Sequence, residues 1–311
     1  MRGISASEAR ELLEEKMGPA KLLSLLQRAS ELREKRCGNK LDTCSIINAK
    51  CGGCTEDCAF CAQSSSSKAE IEKYPLVSVE TIFKAAAEAS AHGAKNFGIV
   101  TSGRIVSERE LDDICEAVRR IAASLPIIPC ASLGILKEDS LIRLKESGLR
   151  RYHHNLETAR SYFPQICGTR SYDAQTGTVL AAQKTGLEVC SGGIFGMGES
   201  FGQRVELLET LRSLNVTCVP INFLNPIPGT RLEGHCSLSP RDCIKIIAVA
   251  RLMMPDTGIR VCGGREKNLR DMQSWLFAAG ADSLMVGGYL VTPGREVKLD
   301  MQMISDAGYS L

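Results

Sequence analysis

The chain has 311 residues, 44% of them apolar and 24% charged, which is typical of a folded globular protein and excludes a disordered one. The 38 basic and 36 acidic residues leave a formal net charge of +2, which gives no indication of nucleic-acid binding. No run of 18 apolar residues is present to span a membrane, and the N-terminal sequence lacks the apolar segment of a signal peptide. We therefore expect a cytoplasmic protein that binds neither nucleic acid nor membrane.

The first 40 residues are predicted to form a helical cap. Apolar residues such as Leu12, Met17 and Leu22 recur at helical spacing between charged residues. We expect this cap to pack on one end of a larger domain that comprises residues 41–311.

From about residue 41, short apolar strands alternate with amphipathic helices. The predicted strands cover residues 44–48, 96–102, 126–132, 150–157, 187–195, 216–224, 258–262 and 282–287. The predicted helices cover residues 79–93, 107–124, 137–147, 172–185, 203–213, 239–253 and 267–279. This α/β alternation predicts parallel strands, and eight units in about 250 residues fit a (β/α)8 TIM-type barrel better than a doubly wound open sheet, which the alternation also allows.

The 14 cysteines are unusual in a chain without a secretion signal, because the cytosol keeps thiols reduced and metal binding is then the better interpretation. Cys54, Cys58 and Cys61 directly follow the first predicted strand, at the end of the barrel where active sites form. This spacing can ligate three irons of a cubane cluster and leave the fourth iron open. The alternative is a structural zinc site with Cys51 as the fourth ligand.

Polar and small side chains share one face of several otherwise apolar strands. Because alternate residues of a barrel strand face its interior, the pattern predicts a functional lumen lined by Cys44, His153, Asn155, Glu157, Cys190, Gly192, Ile194, Cys218, Asn222, Arg260 and Cys262. On the fifth and sixth strands the cysteine precedes the glycines or the amide, so the cysteines are expected deeper in the barrel. The alternative is that the buried cysteines are small apolar side chains and no more.

The motif Cys-x3-Cys-x-Phe-Cys resembles that of the radical S-adenosylmethionine (SAM) superfamily. The stretches NAKCGGCTEDCAFCAQS, YHHNLET, EVCSGGIFGMGES, VPINFLNPIPGT and IRVCGGRE resemble, in this order, the biotin synthase family over about residues 40–290. The resemblance implies a sulfurtransferase that cleaves SAM on a 4Fe–4S cluster and inserts sulfur between the methyl and methylene carbons of dethiobiotin. It also implies that the sulfur comes from an auxiliary iron–sulfur cluster inside the barrel.

The resemblance further implies which residues bind SAM and substrate. The positions expected around SAM and its cluster are Phe60, Asn155, Glu157, Arg170, Gly192, Gly193 and Ile194. Arg170 is expected to take the SAM carboxylate, because Gln175 stands where the family often has an arginine for it. The substrate is expected to contact Asn222, which matches the family's ureido-binding asparagine, together with Asn155 and His153.

The auxiliary cluster is expected to depart from the family's common pattern, in which three cysteines and one arginine hold a 2Fe–2S centre. Cys130, Cys190 and Arg260 match that pattern, but Gly98 stands at the remaining cysteine position and cannot ligate iron. We therefore predict a thiolate-richer cluster of 4Fe type, as in a variant subgroup of the family, with ligands drawn from Cys44, Cys130, Cys190, Cys218 and Cys262. Arg260 is grouped with the catalytic residues Cys54, Cys58 and Cys61, and is predicted to donate a hydrogen bond to cluster sulfur.

The resemblance implies dethiobiotin as substrate, a flavodoxin or ferredoxin as reductant, an iron–sulfur assembly system and a homodimer. Two alternatives stay open: another radical SAM barrel, of the hydrogenase-cofactor maturase or pyrrolysine-pathway mutase type, and a non-catalytic iron–sulfur or zinc-binding protein. Cys115, Cys236 and Cys243 are interpreted as structural thiols. Cys37 and Cys51 are left as either cluster ligands or spare thiols.

Overall fold

The structure is a computed structural model that describes residues 1, 3–235 and 238–311. Its strands are β1 (Asp42–Lys50), β2 (Asn96–Thr101), β3 (Ile128–Ser132), β4 (Arg151–His153), β5 (Glu188–Cys190), β6 (Gly193–Phe195), β7 (Cys218–Phe223), β8 (Gly258–Val261) and β9 (Ser283–Met285). Its α-helices are α1 (Ala6–Glu14), α2 (Pro19–Cys37), α3 (Val79–Ala91), α4 (Glu108–Ser124), α5 (Glu138–Glu146), α6 (Phe163–Ile166), α7 (Tyr172–Lys184), α8 (Phe201–Ser213), α9 (Pro240–Met253), α10 (Arg265–Leu269), α11 (Trp275–Ala278) and α12 (Val297–Asp306).

The strands form one closed parallel barrel. Their order is β5-β4-β3-β2-β1-β9-β8-β7-β6, and β5 also pairs with β7 through Cys190 and Cys218, which closes the ring. Because β5 and β6 are two segments of the predicted strand 187–195, the barrel has eight strand positions, and the predicted TIM-type fold is confirmed. Residues that alternate with the lumen-facing positions, such as Ile99 and Val219, are fully buried beneath the surrounding helices.

The break between β5 and β6 arises from a close approach of two backbones. The carbonyl of Gly192 accepts hydrogen bonds from the amides of Leu156 and Glu157, at 2.9 and 3.3 Å. A Cβ at Gly192 would lie 1.9 Å from the carbonyl oxygen of Pro220, and one at Gly193 would lie 2.5 Å from that of Glu157. Only glycine allows this contact, so the strand is interrupted at the end of the barrel where the predicted site lies.

Most of the predicted helices are found within two residues of their expected ends, and their start signals act as expected. The hydroxyl of Ser78 accepts the amide of Thr81 at the start of α3, and Ser107 forms a capping box with Glu110 at the start of α4. The prediction of one helix over 267–279 is wrong. This segment divides into α10, a short 3-10 turn and α11, because Arg270 adopts a φ of 49° that ends α10.

The N-terminal residues form two helices: α1 ends at Glu14, where Glu15 turns to an extended conformation, and α2 begins with Gly18 as N-cap and Pro19 as its first residue. Both pack against α9, and α1 also contacts α8. The ammonium group of Lys245 on α9 donates hydrogen bonds to the carbonyls of Leu13 and Glu15 at the end of α1. In the described part of the chain, no helix combines the length and the hydropathy that a membrane crossing demands.

Candidate active site

A cavity of about 300 Å³ extends from the carboxyl ends of the strands, here called the mouth, into the barrel. Most of the predicted site residues line it: Cys44, Cys54, Cys58, Phe60, Cys61, Cys130, His153, Asn155, Glu157, Arg170, Cys190, Ile194, Asn222, Arg260 and Cys262. Cys218, Gly192 and Gly193 lie next to this lining rather than in it. The structure therefore brings residues from all parts of the sequence to one cavity.

The loop that carries Cys54, Cys58 and Cys61 folds back on itself after β1. The amide of Cys54 donates to the carbonyl of Gln63 at 3.1 Å, and the amide of Cys61 donates to that of Cys58 at 3.0 Å. The loop leaves β1 through Gly52 and Gly53, whose φ angles of 79° and 66° favour glycine. These contacts hold all three thiols at the cavity, and burial raises the pKa of Cys61 to about 11.

The deeper part of the site, here called the thiol chamber, contains Cys44, Cys130, Cys190, Cys218 and Cys262. Burial raises the pKa of Cys44, Cys130 and Cys262, and the guanidinium of Arg260 opposes the rise at each of them. Cys190 and Cys218 are register partners across the β5–β7 pairing, and the neighbouring Cys218 thiol raises the pKa of the Cys190 thiol. Cys218 is not among the residues that line the cavity, and Cys262 follows the last residue of β8.

Two arginines lie among the thiols of the chamber. Arg260 Nη1 lies 3.9 Å from Cys190 Sγ, and its other nitrogens donate to Ser283 at 2.7 Å and to Asp42 at 2.8 Å. The second arginine, Arg151, was not singled out from the sequence. It lines the same cavity and pairs with Glu188 and Asn96 at 2.8 and 3.1 Å. Its lumen-facing parity, which it shares with His153, could have identified it.

Gly98 also faces the thiol chamber. A Cβ at Gly98 would lie 3.0 Å from Cγ2 of Ile46 on the neighbouring strand β1, so a larger side chain requires Ile46 to move. The packing around Gly98 is therefore consistent with a residue that has no side chain at this position.

At the mouth, Asn155 and Glu157 are held by the backbone of the broken strand. Asn155 Oδ1 accepts the amide of Gly192 at 3.1 Å, and the carbonyl of Glu157 accepts the amide of Ile194 at 2.8 Å. Glu157 has a φ of 68°, which is unusual for a residue with a side chain. Burial raises the pKa of its carboxyl group to about 7, although Arg170 opposes that rise.

Arg170 and Gln175 have different surroundings. Both line the cavity, but Nε of Arg170 has no hydrogen-bond partner within the described residues. Gln175 is 1% exposed. Its carboxamide bonds His154 Nε2 at 3.0 Å and donates to the carbonyl of Asn155 at 2.8 Å. Gln175 therefore supports Asn155 from behind, whereas Arg170 offers an unused donor.

The two adjacent histidines are neutral in this environment. Burial lowers the pKa of His153 to about 3 and that of His154 to about 4. His153 lines the cavity and can therefore offer a ring nitrogen as a hydrogen-bond acceptor, whereas His154 is engaged with Gln175.

Asn222 is fixed by three hydrogen bonds. Its Nδ2 donates to the carbonyl of Gly193 at 3.2 Å, and its Oδ1 accepts the amide of Gly263 and the hydroxyl of Tyr289, both at 3.0 Å. Tyr289 lines the cavity and was missed in the sequence. The available signal was its position just after the last predicted strand, at the end of the barrel where active-site residues lie.

The remaining cysteines divide into two groups. Cys37 donates to the carbonyl of Arg33 at the end of α2, and neither Cys37 nor Cys51 is among the residues that line the cavity. Cys115 and Cys243 are buried in helices α4 and α9, as expected of structural thiols, and Cys236 lies outside the described residues.

The thiols suit polynuclear clusters. Within the described residues, no three His, Cys, Asp or Glu side chains gather as they do around a single metal ion. An iron–sulfur cluster has a different requirement, because its thiolates bind separate irons around a larger core. Seven thiols line one cavity, and three of them are in one loop. This donor set fits one cluster at the mouth and one in the thiol chamber.

The parallel barrel with three cysteines after its first strand defines the class of a radical SAM enzyme. Residues 50–211 match the Radical SAM superfamily, and residues 220–310 match the Biotin and Thiamin Synthesis associated domain. Biotin synthase of Citrifermentans bemidjiense is 50% identical over 306 residues, which cover 98% of this chain and 93% of that protein. Biotin synthase of Geobacter sulfurreducens is 50% identical over 309 residues, with coverages of 99% and 93%. The chain belongs to the biotin synthase family.

Solved structures with the same fold are more distant in sequence. Methylornithine synthase has a TM-score of 0.85 at 20% identity, covering 99% of this chain and 94% of its own. The FeFe-hydrogenase maturase of Carboxydothermus hydrogenoformans has a TM-score of 0.85 at 18% identity, covering 99% and 75%. These similarities concern the fold alone, so the identity to biotin synthases decides between the enzyme classes that the sequence left open.

Proposed function

We propose that this chain inserts sulfur between the methyl and methylene carbons of dethiobiotin to form biotin. Beyond the family relationship, one observation carries the proposal. A single cavity has the three-cysteine loop at its mouth and the thiol chamber below it. A substrate between the two groups has a radical source on one side and a sulfur source on the other.

The mouth is proposed to bind SAM and its 4Fe–4S cluster, with Cys54, Cys58 and Cys61 as iron ligands. When bound, the cluster and SAM supply a 5′-deoxyadenosyl radical, and the auxiliary cluster supplies the sulfur. Arg170 binds the SAM carboxylate, and its buried Nε without a partner supports this role.

The rest of SAM lies against the broken strand in this proposal. Glu157, with Asn155 beside it, accepts the hydroxyls of the ribose. Gly192 and Gly193 present backbone without side chains, and Ile194 packs on the adenine. Phe60 lies beside the cluster.

Asn222 and Tyr289 are proposed to bind the ureido ring of dethiobiotin together through hydrogen bonds. In the free protein, one N–H of Asn222 Nδ2 bonds Gly193, which leaves the second N–H to donate to the ureido carbonyl. The Tyr289 hydroxyl donates its hydrogen bond to Asn222 Oδ1, so its oxygen is free to accept a ureido N–H. His153 and Asn155 also contact the substrate in this proposal.

The thiol chamber is proposed to hold an auxiliary cluster of 4Fe type, which assigns the chain to a subgroup with a thiolate-rich centre. Two observations support this. The position matched by Gly98 offers no thiol, and Cys44, Cys218 and Cys262 accompany the two cysteines of the common pattern. Arg260 donates to sulfur, in line with its approach to Cys190.

Several further assignments rest on the family resemblance. A flavodoxin or ferredoxin provides electrons, an assembly system provides the clusters, and the enzyme is a cytoplasmic homodimer. The helical spacing of apolar residues, and not the resemblance, is the basis for proposing residues 1–40 as a helical cap on the catalytic domain of residues 41–311.

The test is iron and sulfide analysis with Mössbauer spectra on anaerobically reconstituted protein. Wild type is compared with the triple variant Cys54→Ala/Cys58→Ala/Cys61→Ala. Retention of about four irons in the triple variant is the expected result. Retention of about two irons replaces the 4Fe assignment by a 2Fe–2S centre, and retention of none removes the sulfur-insertion proposal.

A further inference from the structure

Cys167 lies beside the proposed SAM-cluster thiols, although the function derived so far gives it no role. It follows the short helix α6, and its Sγ lies 3.9 Å from the Sγ of Cys58. Both side chains are buried, with exposed fractions of 3% and 9%. The two sulfurs come from separate loops, 109 residues apart in the chain.

The two loops are joined by other contacts that keep these sulfurs close. Asp57 Oδ1 accepts the amides of Gly168 and Thr169, at 2.9 and 3.2 Å. Glu56 Oε2 accepts the hydroxyl of Thr169 and lies 3.8 Å from Cys167 Sγ. The pair is therefore a fixed feature of the folded chain.

A disulfide requires the sulfurs to approach from 3.9 Å to about 2.05 Å. Rotation about the Cα–Cβ bonds of two cysteines can supply a movement of this size, since each rotation carries a sulfur to another staggered position. In the holoenzyme, Cys58 is committed to iron, so the rotation is open to it only in cluster-free protein.

We propose that Cys58 and Cys167 form a reversible disulfide when the chain has lost its SAM cluster and encounters a peroxide. The thiolate of one of the two cysteines attacks a peroxide oxygen, which yields its sulfenic acid and hydroxide. The thiolate of the other cysteine then attacks the sulfenic sulfur, and hydroxide leaves as the S–S bond forms. Two thiols and one hydrogen peroxide become one disulfide and two waters.

The disulfide keeps Cys58 on the reversible part of the cysteine oxidation series, because it forms before the sulfinic acid, which a thiol reductant cannot restore. A thiol reductant must then open the bond before iron can be inserted. This consequence and the protection of Cys58 in the holoenzyme rest on the proposed ligand role of Cys58, whereas the bond itself is measured in cluster-free protein.

The experiment treats chelated, cluster-free full-length protein with one equivalent of hydrogen peroxide, blocks the remaining thiols with N-ethylmaleimide and digests with trypsin. Cleavage after Lys50, Lys68, Arg160 and Arg170 gives peptide 161–170, in which Cys167 is the single cysteine, and peptide 51–68. We expect a mass for the two peptides joined, a fragment pattern that locates the bond at Cys58, and loss of that mass with dithiothreitol.

Cys167→Ser is compared with Cys115→Ser, which alters a buried cysteine in α4. This comparison uses excess peroxide, because a sulfinic acid consumes two peroxide molecules per thiol. After peroxide and then dithiothreitol, we expect Cys167→Ser to carry sulfinic acid on Cys58 and to lose the ability to rebuild the SAM cluster. Wild type and Cys115→Ser should regain it. A Cys167 that is alkylated in oxidised wild type overturns the proposal, as does equal recovery of cluster iron by Cys167→Ser. Neither result affects the sulfur-insertion proposal, which is tested on protein never exposed to oxidant.

Discussion

The Tyr289 hydroxyl has a calculable effect on substrate binding. Tyr289→Phe removes the oxygen proposed to accept a ureido N–H. The free protein loses little, because Asn222 Oδ1 keeps its hydrogen bond from the Gly263 amide at 3.0 Å. In the complex, the ureido N–H is buried without an acceptor, which costs about 1–3 kcal/mol. At about 2 kcal/mol, the Kd for dethiobiotin rises roughly 30-fold.

The assay is calorimetric titration of dethiobiotin into anaerobic holoenzyme saturated with SAM. The matched control is Tyr74→Phe, which removes a hydroxyl bonded to the carbonyl of Asn48 at 2.7 Å outside the cavity. SAM affinity should be unchanged in both variants, because neither hydroxyl belongs to the proposed SAM contacts. An unchanged Kd for dethiobiotin in Tyr289→Phe, or an equal loss in Tyr74→Phe, refutes the reasoning.

Gly192→Ala should abolish SAM binding, because its Cβ clashes with the backbone of β7. Gly177 on α7 faces open space, so Gly177→Ala should instead raise the free energy of unfolding by about 0.5–1 kcal/mol. Burial raises the pKa of Glu157 to about 7. Its protonated form therefore stabilises the cluster-free fold fully below about pH 4.5, and this stabilisation is lost as pH rises through 7. In urea unfolding, the difference in unfolding free energy between pH 5 and pH 8 should be smaller for Glu157→Gln than for wild type. Cys58→Ala should stop formation of 5′-deoxyadenosine, whereas Cys190→Ala should keep SAM binding and form no biotin. Product analysis that finds 5′-deoxyadenosine with Cys58→Ala, or biotin with Cys190→Ala, contradicts these assignments.

The alternation of strands and helices was enough to predict the barrel, because a parallel strand buried on both sides carries a continuous apolar signal. The prediction was less accurate where the chain leaves the sheet. Strand 150–157 was expected to continue to Glu157, but β4 ends at His153. The following backbone bends to meet Gly192 and Gly193, a contact between distant segments that the local pattern does not contain.

The same limit applies to the site. Most of the residues predicted from the parity of the strands do line the cavity, since parity depends only on positions along one strand. Gln175 stands where the family often has an arginine, but its support of Asn155 was not predicted, because the side chain that a helix residue reaches depends on how that helix packs. Cys167 and Tyr289 lie in loops, where no periodicity fixes the direction of a side chain.

The charges around the thiol chamber give an independent argument for a large anionic occupant. Arg260 and Arg151 are nearly buried, with side-chain exposures of 4% and 12%, whereas their carboxylate partners Asp42 and Glu188 are 40% and 27% exposed. Water therefore screens the carboxylates in part, and both guanidinium groups line the cavity with the thiols. Buried charge of one sign requires a buried counter-charge. Thiolates that ligate a cluster add such a buried charge, whereas five neutral thiols leave the two arginines with only the part-exposed carboxylates of Asp42 and Glu188.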